Sequence, residues 1–184
     1  MKDGFVKVAA VTPEVRVADV VSNVEACIAA ARNVVESEGA RVVVLPELAL
    51  TGYTCEDLFW QESLICAAEE GLSSFASKTA DLDALLLVGV PVRVMGKLYN
   101  CAAVLARGVL LGLVPKLHIP TYNEFYEGRH FERGSKQATF ISYAGNTSVP
   151  FTSTTPTMKS RNVFISRSPI NRPIASKRKK NHSP

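Results

Sequence analysis

Apolar and polar positions divide the first two thirds of the chain into alternating short runs and long amphipathic stretches. Phe5 to Val11 is β-branched and apolar and is stopped by Thr12-Pro13, which predicts a strand. From Val17 to Glu38 the apolar residues Val20, Val24, Cys27, Ile28, Ala31, Val34 and Val35 recur at helical spacing. Asp19 is a candidate cap at the start of that helix, and Gly39 suits its end. Arg41 to Leu45 reads RVVVL, the pattern of a strand buried on both faces, and Pro46 closes it. A second amphipathic helix is predicted over Gln61–Ala80 and another buried strand over Ala84–Val90. Lys97–Ala106 and Val109–Val114 read as two strands turning at Arg107-Gly108. The order β-α-β-α-β-β-β places this chain in the α/β class, with both helices on one face of a sheet and layers stacked as a sandwich.

Composition changes the picture at the C-terminal end. Residues 1–150 hold 13 Lys and Arg against all 17 Asp and Glu, a net charge of −4. Residues 151–184 hold the other 8 basic residues and no acid, lack Gly and Cys, and are rich in Ser, Thr and Pro. That is a linker composition rather than a folding one. The expected organisation is an incomplete domain over 1–150 followed by a basic tail over 151–184, either disordered or read out of frame. Lys177-Arg178-Lys179-Lys180 is a basic cluster of the kind that binds nucleic acid or serves as a nuclear address. Short basic tetrads arise by chance, and the tail has no interleaved aromatic apart from Phe164, so a nucleic-acid partner is disfavoured. No apolar run reaches the length of a membrane span, and Asp3 and Pro13 break up any secretory leader, so a cytoplasmic chain is expected. Cys27, Cys55, Cys66 and Cys101 show no CxxC spacing and read as reduced, buried thiols; no metal site is expected.

Three places carry candidate chemistry. Glu47, in PELALTGY, directly follows a buried strand; a carboxylate partly withdrawn from water there suits a general base. Lys116, in VPKLHIPTYNEFYEGRHF, also follows a strand, where an ammonium can balance a developing oxyanion. Position alone favours ordinary surface residues for both. The loop cluster Tyr122, Glu124, Phe125, Tyr126 and Glu127 alternates aromatics with carboxylates and can line a pocket for a small polar amine such as an amino acid. The whole segment Leu117–Lys136 lacks a clean period, and a loop of that length is usually functional.

PELALTGY and KLHIPTYNEFYEGRHF are similar to two signature segments of the nitrilase, or carbon–nitrogen hydrolase, superfamily. With GFVKVAAVTPEVRVAD, PELALTGYTCEDLF, VGVPV and LYNCAAVL, the chain resembles the glutaminase domain of glutamine-dependent NAD synthetases over residues 4–151. The resemblance implies an α-β-β-α sandwich, of which this chain would form part, and a Glu-Lys-Cys triad that hydrolyses the side-chain amide of L-glutamine. The ammonia would then serve NAD synthesis from nicotinic acid adenine dinucleotide. By match of motif Glu47 is the base, Lys116 the lysine, Glu124 a second glutamate that positions the lysine, and Tyr122 a glutamine contact. ATP and magnesium are implied for a synthetase domain absent from this chain, and no cofactor within it. Large family assemblies make association of identical chains an expectation. The family's cysteine lies some tens of residues beyond the lysine, whereas no cysteine follows Cys101. The chain is therefore expected to be catalytically incomplete. The competing reading is a non-catalytic binding or interaction protein that keeps the fold.

Overall fold

The computed structural model describes residues 4–121 and 126–153. One mixed sheet organises them. Its strands are β1 (Val8–Ala10), β2 (Val42–Val44), β3 (Leu85–Val94), β4 (Lys97–Ala106), β5 (Val109–Pro115), β6 (Thr139–Tyr143) and β7 (Asn146–Phe151), in the order β1-β2-β3-β4-β5-β7-β6. The first three run parallel because helices connect them: α1 (Val20–Glu38) joins β1 to β2, and α2 (Glu62–Lys78) lies between β2 and β3. β3, β4 and β5 form an antiparallel meander through tight turns at Met95-Gly96 and Arg107-Gly108, all four residues having positive φ.

The alternating side chains of these strands sort onto two unlike faces. Val43, Leu86, Val88, Val90, Ala103 and Leu105 join Cys27, Ala31, Leu72 and Phe75 of the helices in the buried core. On the opposite face Val8, Val44 and Val114 are exposed, and among the described residues no helix covers them. This is the α/β arrangement that the pattern predicts, with both helices on one face.

Several boundaries moved. α1 starts at Val20 rather than Val17, and Asp19 caps it by accepting a hydrogen bond from the Ser22 amide at 3.1 Å. β1 is shorter than Phe5–Val11, its paired residues with β2 being Val8–Ala10. Cys66 is exposed on α2 and not buried as expected; the other three cysteines are buried. The β6–β7 hairpin, which the hydrophobic pattern does not predict, extends the sheet to Phe151. Residues 154–184, including Lys177–Lys180 and the rest of the basic tail, lie outside the described residues.

One buried polar residue ties the helix layer to the segment that follows β2. Asn23 on α1 has no exposed surface. Its Nδ2 donates to the carbonyls of Arg16 (2.7 Å) and Leu50 (3.2 Å), while its Oδ1 accepts from the Arg16 amide (2.7 Å). Asn23→Ala would take the side-chain partner from the Arg16 amide and the Leu50 carbonyl and leave the Arg16 carbonyl with the Asp19 amide at 3.3 Å, so we expect a stability loss of about 2–4 kcal/mol, read as a lower urea midpoint.

Candidate functional site

The site grows out of strand ends on the open face. β2 finishes at Val44, the ladder continues as Leu45 N–H donates to Leu87 at 2.9 Å, and the chain then turns across β3. Gly89 permits that crossing. Its amide donates to Pro46 at 3.2 Å, its carbonyl accepts from Leu50 at 3.3 Å, and an added Cβ would sit 2.2 Å from the Leu48 nitrogen. Leu48 itself takes a positive φ of 50° in the turn. The result places Glu47 above β3, facing β4.

Lys116 arrives from the other side. It is the first residue after β5, and its amide donates to the carbonyl of Asn100 in β4 at 2.8 Å. Its Nζ lies 2.6 Å from Glu47 Oε1 and 2.8 and 2.9 Å from the two oxygens of Glu127. Glu127 opens a short 3₁₀ turn, Glu127–Arg129, that folds back against the site. Tyr53 Oη, from the end of the PELALTGY segment, donates to Glu127 Oε1 at 2.8 Å. Asn100 Nδ2 donates to Glu47 Oε1 and lies 3.5 Å from Glu127 Oε2.

Burial separates the two carboxylates. The Glu127 side chain is 5% exposed and the Glu47 side chain 42%, with Lys116 between them at 29%. Burial alone would pull the Lys116 ammonium down, but its hydrogen bonds to Glu127 and Glu47 and their charge outweigh this and hold it above its ordinary range. The cluster beside a cavity of about 440 Å³ thus contains two carboxylates and one ammonium. Val44, Pro46, Glu47, Asn100, Lys116 and Ser153 line that cavity. Such a volume admits a small polar molecule.

The structure therefore brings Glu47 and Lys116 into direct contact across the sheet. Tyr122 and Glu124 lie outside the described residues. Among the described residues, the second carboxylate on the lysine is Glu127, in the sequence one member of an aromatic and acidic loop. Asn100 carries no motif that marks it as a site residue; its one signal in the sequence is an amide inside a largely apolar strand.

The cysteines do not join this cluster. Strand alternation turns Cys101 away from Asn100 into the core, where burial pushes its thiol well above the usual range. Burial likewise raises Cys27, to about 11. Cys55 is raised by burial, and its sulfur bonds the Thr51 and Gly52 carbonyls. The exposed Cys66 is raised too, by desolvation and by Glu62, Glu69 and Glu70 around it. A nucleophilic thiolate needs the opposite, electropositive setting. Among the described residues no group of three His, Cys, Asp or Glu side chains is placed to hold a metal ion, and no helix is long and apolar enough to cross a membrane.

Residues 7–157 match a family model described as carbon-nitrogen hydrolase. The glutamine-dependent NAD(+) synthetase of Mycobacterium tuberculosis H37Rv is 41% identical over 142 residues, which cover 77% of this chain and 21% of that enzyme. The chain thus spans about a fifth of the length of the curated relatives it matches. The crystal structure of a glutamine-dependent NAD(+) synthetase from Cytophaga hutchinsonii superposes with a TM-score of 0.74 at 26% identity, covering 79% of this chain and 25% of that one. Saccharomyces cerevisiae Nit3, of the nitrilase superfamily, shares the fold with a TM-score of 0.58 at 19% identity, over 75% of this chain and 52% of its own.

Proposed function

Because the chain belongs to the carbon–nitrogen hydrolase family, we propose that Glu47, Lys116 and Glu127 form the acid–base side of a site that hydrolyses the side-chain amide of glutamine. The ammonia would supply NAD synthesis from nicotinic acid adenine dinucleotide in a larger enzyme. Support comes first from one observation: the Lys116 ammonium is held between two carboxylates at 2.6–2.9 Å beside an open cavity. The similarity to glutamine-dependent NAD synthetases supports glutamine as the substrate.

Each residue has a distinct task in this reading. Glu47, the more exposed carboxylate, takes a proton from the attacking nucleophile and returns it to the leaving ammonia. Lys116 stabilises the oxyanion of the tetrahedral intermediate. It makes three hydrogen bonds to carboxylate oxygens in the resting site, so one must yield to that oxyanion. Glu127 is buried and fixes the lysine. The nucleophile in this reading is a thiolate from outside this set of four cysteines, because burial, and at Cys66 also the neighbouring carboxylates, work against a thiolate at each of them. Tyr122 and Glu124 keep their proposed parts in glutamine contact and lysine support. The site's chemistry asks for no cofactor; ATP and magnesium would belong to a synthetase domain.

Two measurements test the reading. The 184-residue chain alone should release no more ammonia from glutamine than its Glu47→Ala variant; steady release above that control contradicts the missing nucleophile. In a hybrid, the matching 142-residue stretch of the M. tuberculosis enzyme is replaced by that of this chain. The hybrid should hydrolyse glutamine, and Glu47→Gln should cut its kcat by at least about 100-fold. A hybrid that hydrolyses glutamine equally well without Glu47 removes the proposal.

A further inference from the structure

We infer that Asn100 is the positioning residue of the site: its side-chain amide bridges the two carboxylates and aims Glu47 at the cavity. The inference rests on the proposed acid–base role of Glu47 and adds what holds that group in place.

Asn100 sits in the middle of β4, opposite Pro91 in the antiparallel pair with β3. Its strand neighbours Tyr99 and Cys101 point to the core face, which leaves Asn100 on the face of Glu47 and Lys116. It is 3% exposed. An amide buried that deeply is costly unless its hydrogen bonds are made. Both of its functional groups serve the cluster. The side-chain nitrogen has two N–H groups and faces two acceptors, Glu47 Oε1 and Glu127 Oε2. The backbone carbonyl accepts the Lys116 amide and so fixes where the lysine leaves β5.

Charge explains why an amide suits this position. Two carboxylates around one ammonium leave one negative charge uncompensated, and they repel each other at close range. A second cation would quench that repulsion but would also compete with the substrate proton for Glu47. A neutral double donor links the carboxylates and leaves the base available. The two carboxylates also differ in how much they depend on it. Glu127 is buried and keeps Tyr53 and Lys116. Glu47 is 42% exposed, and among the described residues its other partner is Lys116, so without Asn100 it is free to swing toward solvent.

The test is carboxyl labelling of the 184-residue chain with a water-soluble carbodiimide and an amine, read residue by residue by mass spectrometry. Asn100→Leu keeps the side chain's size and removes the donors; Asn100→Asp keeps its shape and replaces the donors with acceptors. In both, Glu47 should label at least about tenfold faster than in the wild-type chain, the size of one hydrogen bond to a charged group, while Glu127 stays protected. An unchanged Glu47 rate overturns the inference. So does an equal rise at Glu47 and Glu127, including one caused by unfolding, because Asn100 would then support the strand rather than aim the base. No glutamine and no turnover enter this experiment. It can therefore fail while the hybrid enzyme still hydrolyses glutamine through Glu47, and succeed where the hybrid fails.

Discussion

Replacing Gly89 with alanine should cost more than ~3 kcal/mol and scatter the site, a larger penalty than one methyl group normally carries in a core. The new Cβ would stand 2.2 Å from the Leu48 nitrogen, 2.4 Å from the Pro46 oxygen and 2.7 Å from the Glu47 carbonyl carbon. All three are backbone atoms, so no side-chain rotation relieves the clash. Either β3 bends or the Pro46–Leu48 segment lifts off it, and the second breaks the hydrogen bonds of Gly89 with Pro46 and Leu50. Glu47 rides on that segment. The comparison is Gly112→Ala on β5, where the nearest atom to the added Cβ is 3.4 Å away and a change within about 1 kcal/mol is expected. Urea midpoints followed by the fluorescence of Trp60, the chain's single tryptophan, separate the two variants. Equal midpoints for Gly89→Ala and Gly112→Ala would contradict the crossing as the feature that places Glu47. Fast carbodiimide labelling of Glu47 in Gly89→Ala would show the same displacement chemically.

That crossing also marks where the sequence stops speaking. RVVVL followed by Pro46-Glu47 shows a buried strand and a carboxylate at its end, because strand burial and proline leave local marks. The glycine that makes room for the carboxylate lies 42 residues later, inside what reads as an ordinary strand. Packing between distant segments has no period to betray it. The same holds for Glu127. Its loop contains Glu124 three positions earlier, and motif resemblance assigns the lysine-holding role to that residue. Only the three-dimensional path shows Glu127 buried on Lys116. Asn23 and Asn100 were in principle readable, since each is a polar residue at an apolar position of its element. The β6–β7 hairpin hid for a different reason. Its two-residue turn is Ala144-Gly145, both at positive φ, where Asn-Gly is the usual sign, and its buried positions Tyr143, Val149 and Phe151 straddle that turn.

The largest electrostatic effect should follow from Lys116→Met. This change leaves the buried Glu127 carboxylate with the Tyr53 hydroxyl and the Asn100 amide and without its cation. Breaking one side of a buried pair in this way costs about 3–5 kcal/mol, chiefly because the remaining charge stays desolvated. Adding Glu127→Gln removes that charge, so the double variant should recover most of the loss, a non-additivity that two independent sites would not show. The pH dependence carries an independent mark of the same contact. Lys116 is held above its ordinary range in the folded chain. A raised folded value means that its contribution is fully present below the unfolded lysine value of ~10.4 and is lost as pH climbs from there through the folded value. Wild-type stability should therefore fall through that alkaline window with a contribution that Lys116→Met lacks. Urea midpoints measured from pH 7 upward check both points. If the wild type and Lys116→Met differ by a constant amount across the alkaline range, or if Glu127→Gln fails to rescue Lys116→Met, then Lys116 is a surface lysine near two glutamates and not the ammonium that binds them together.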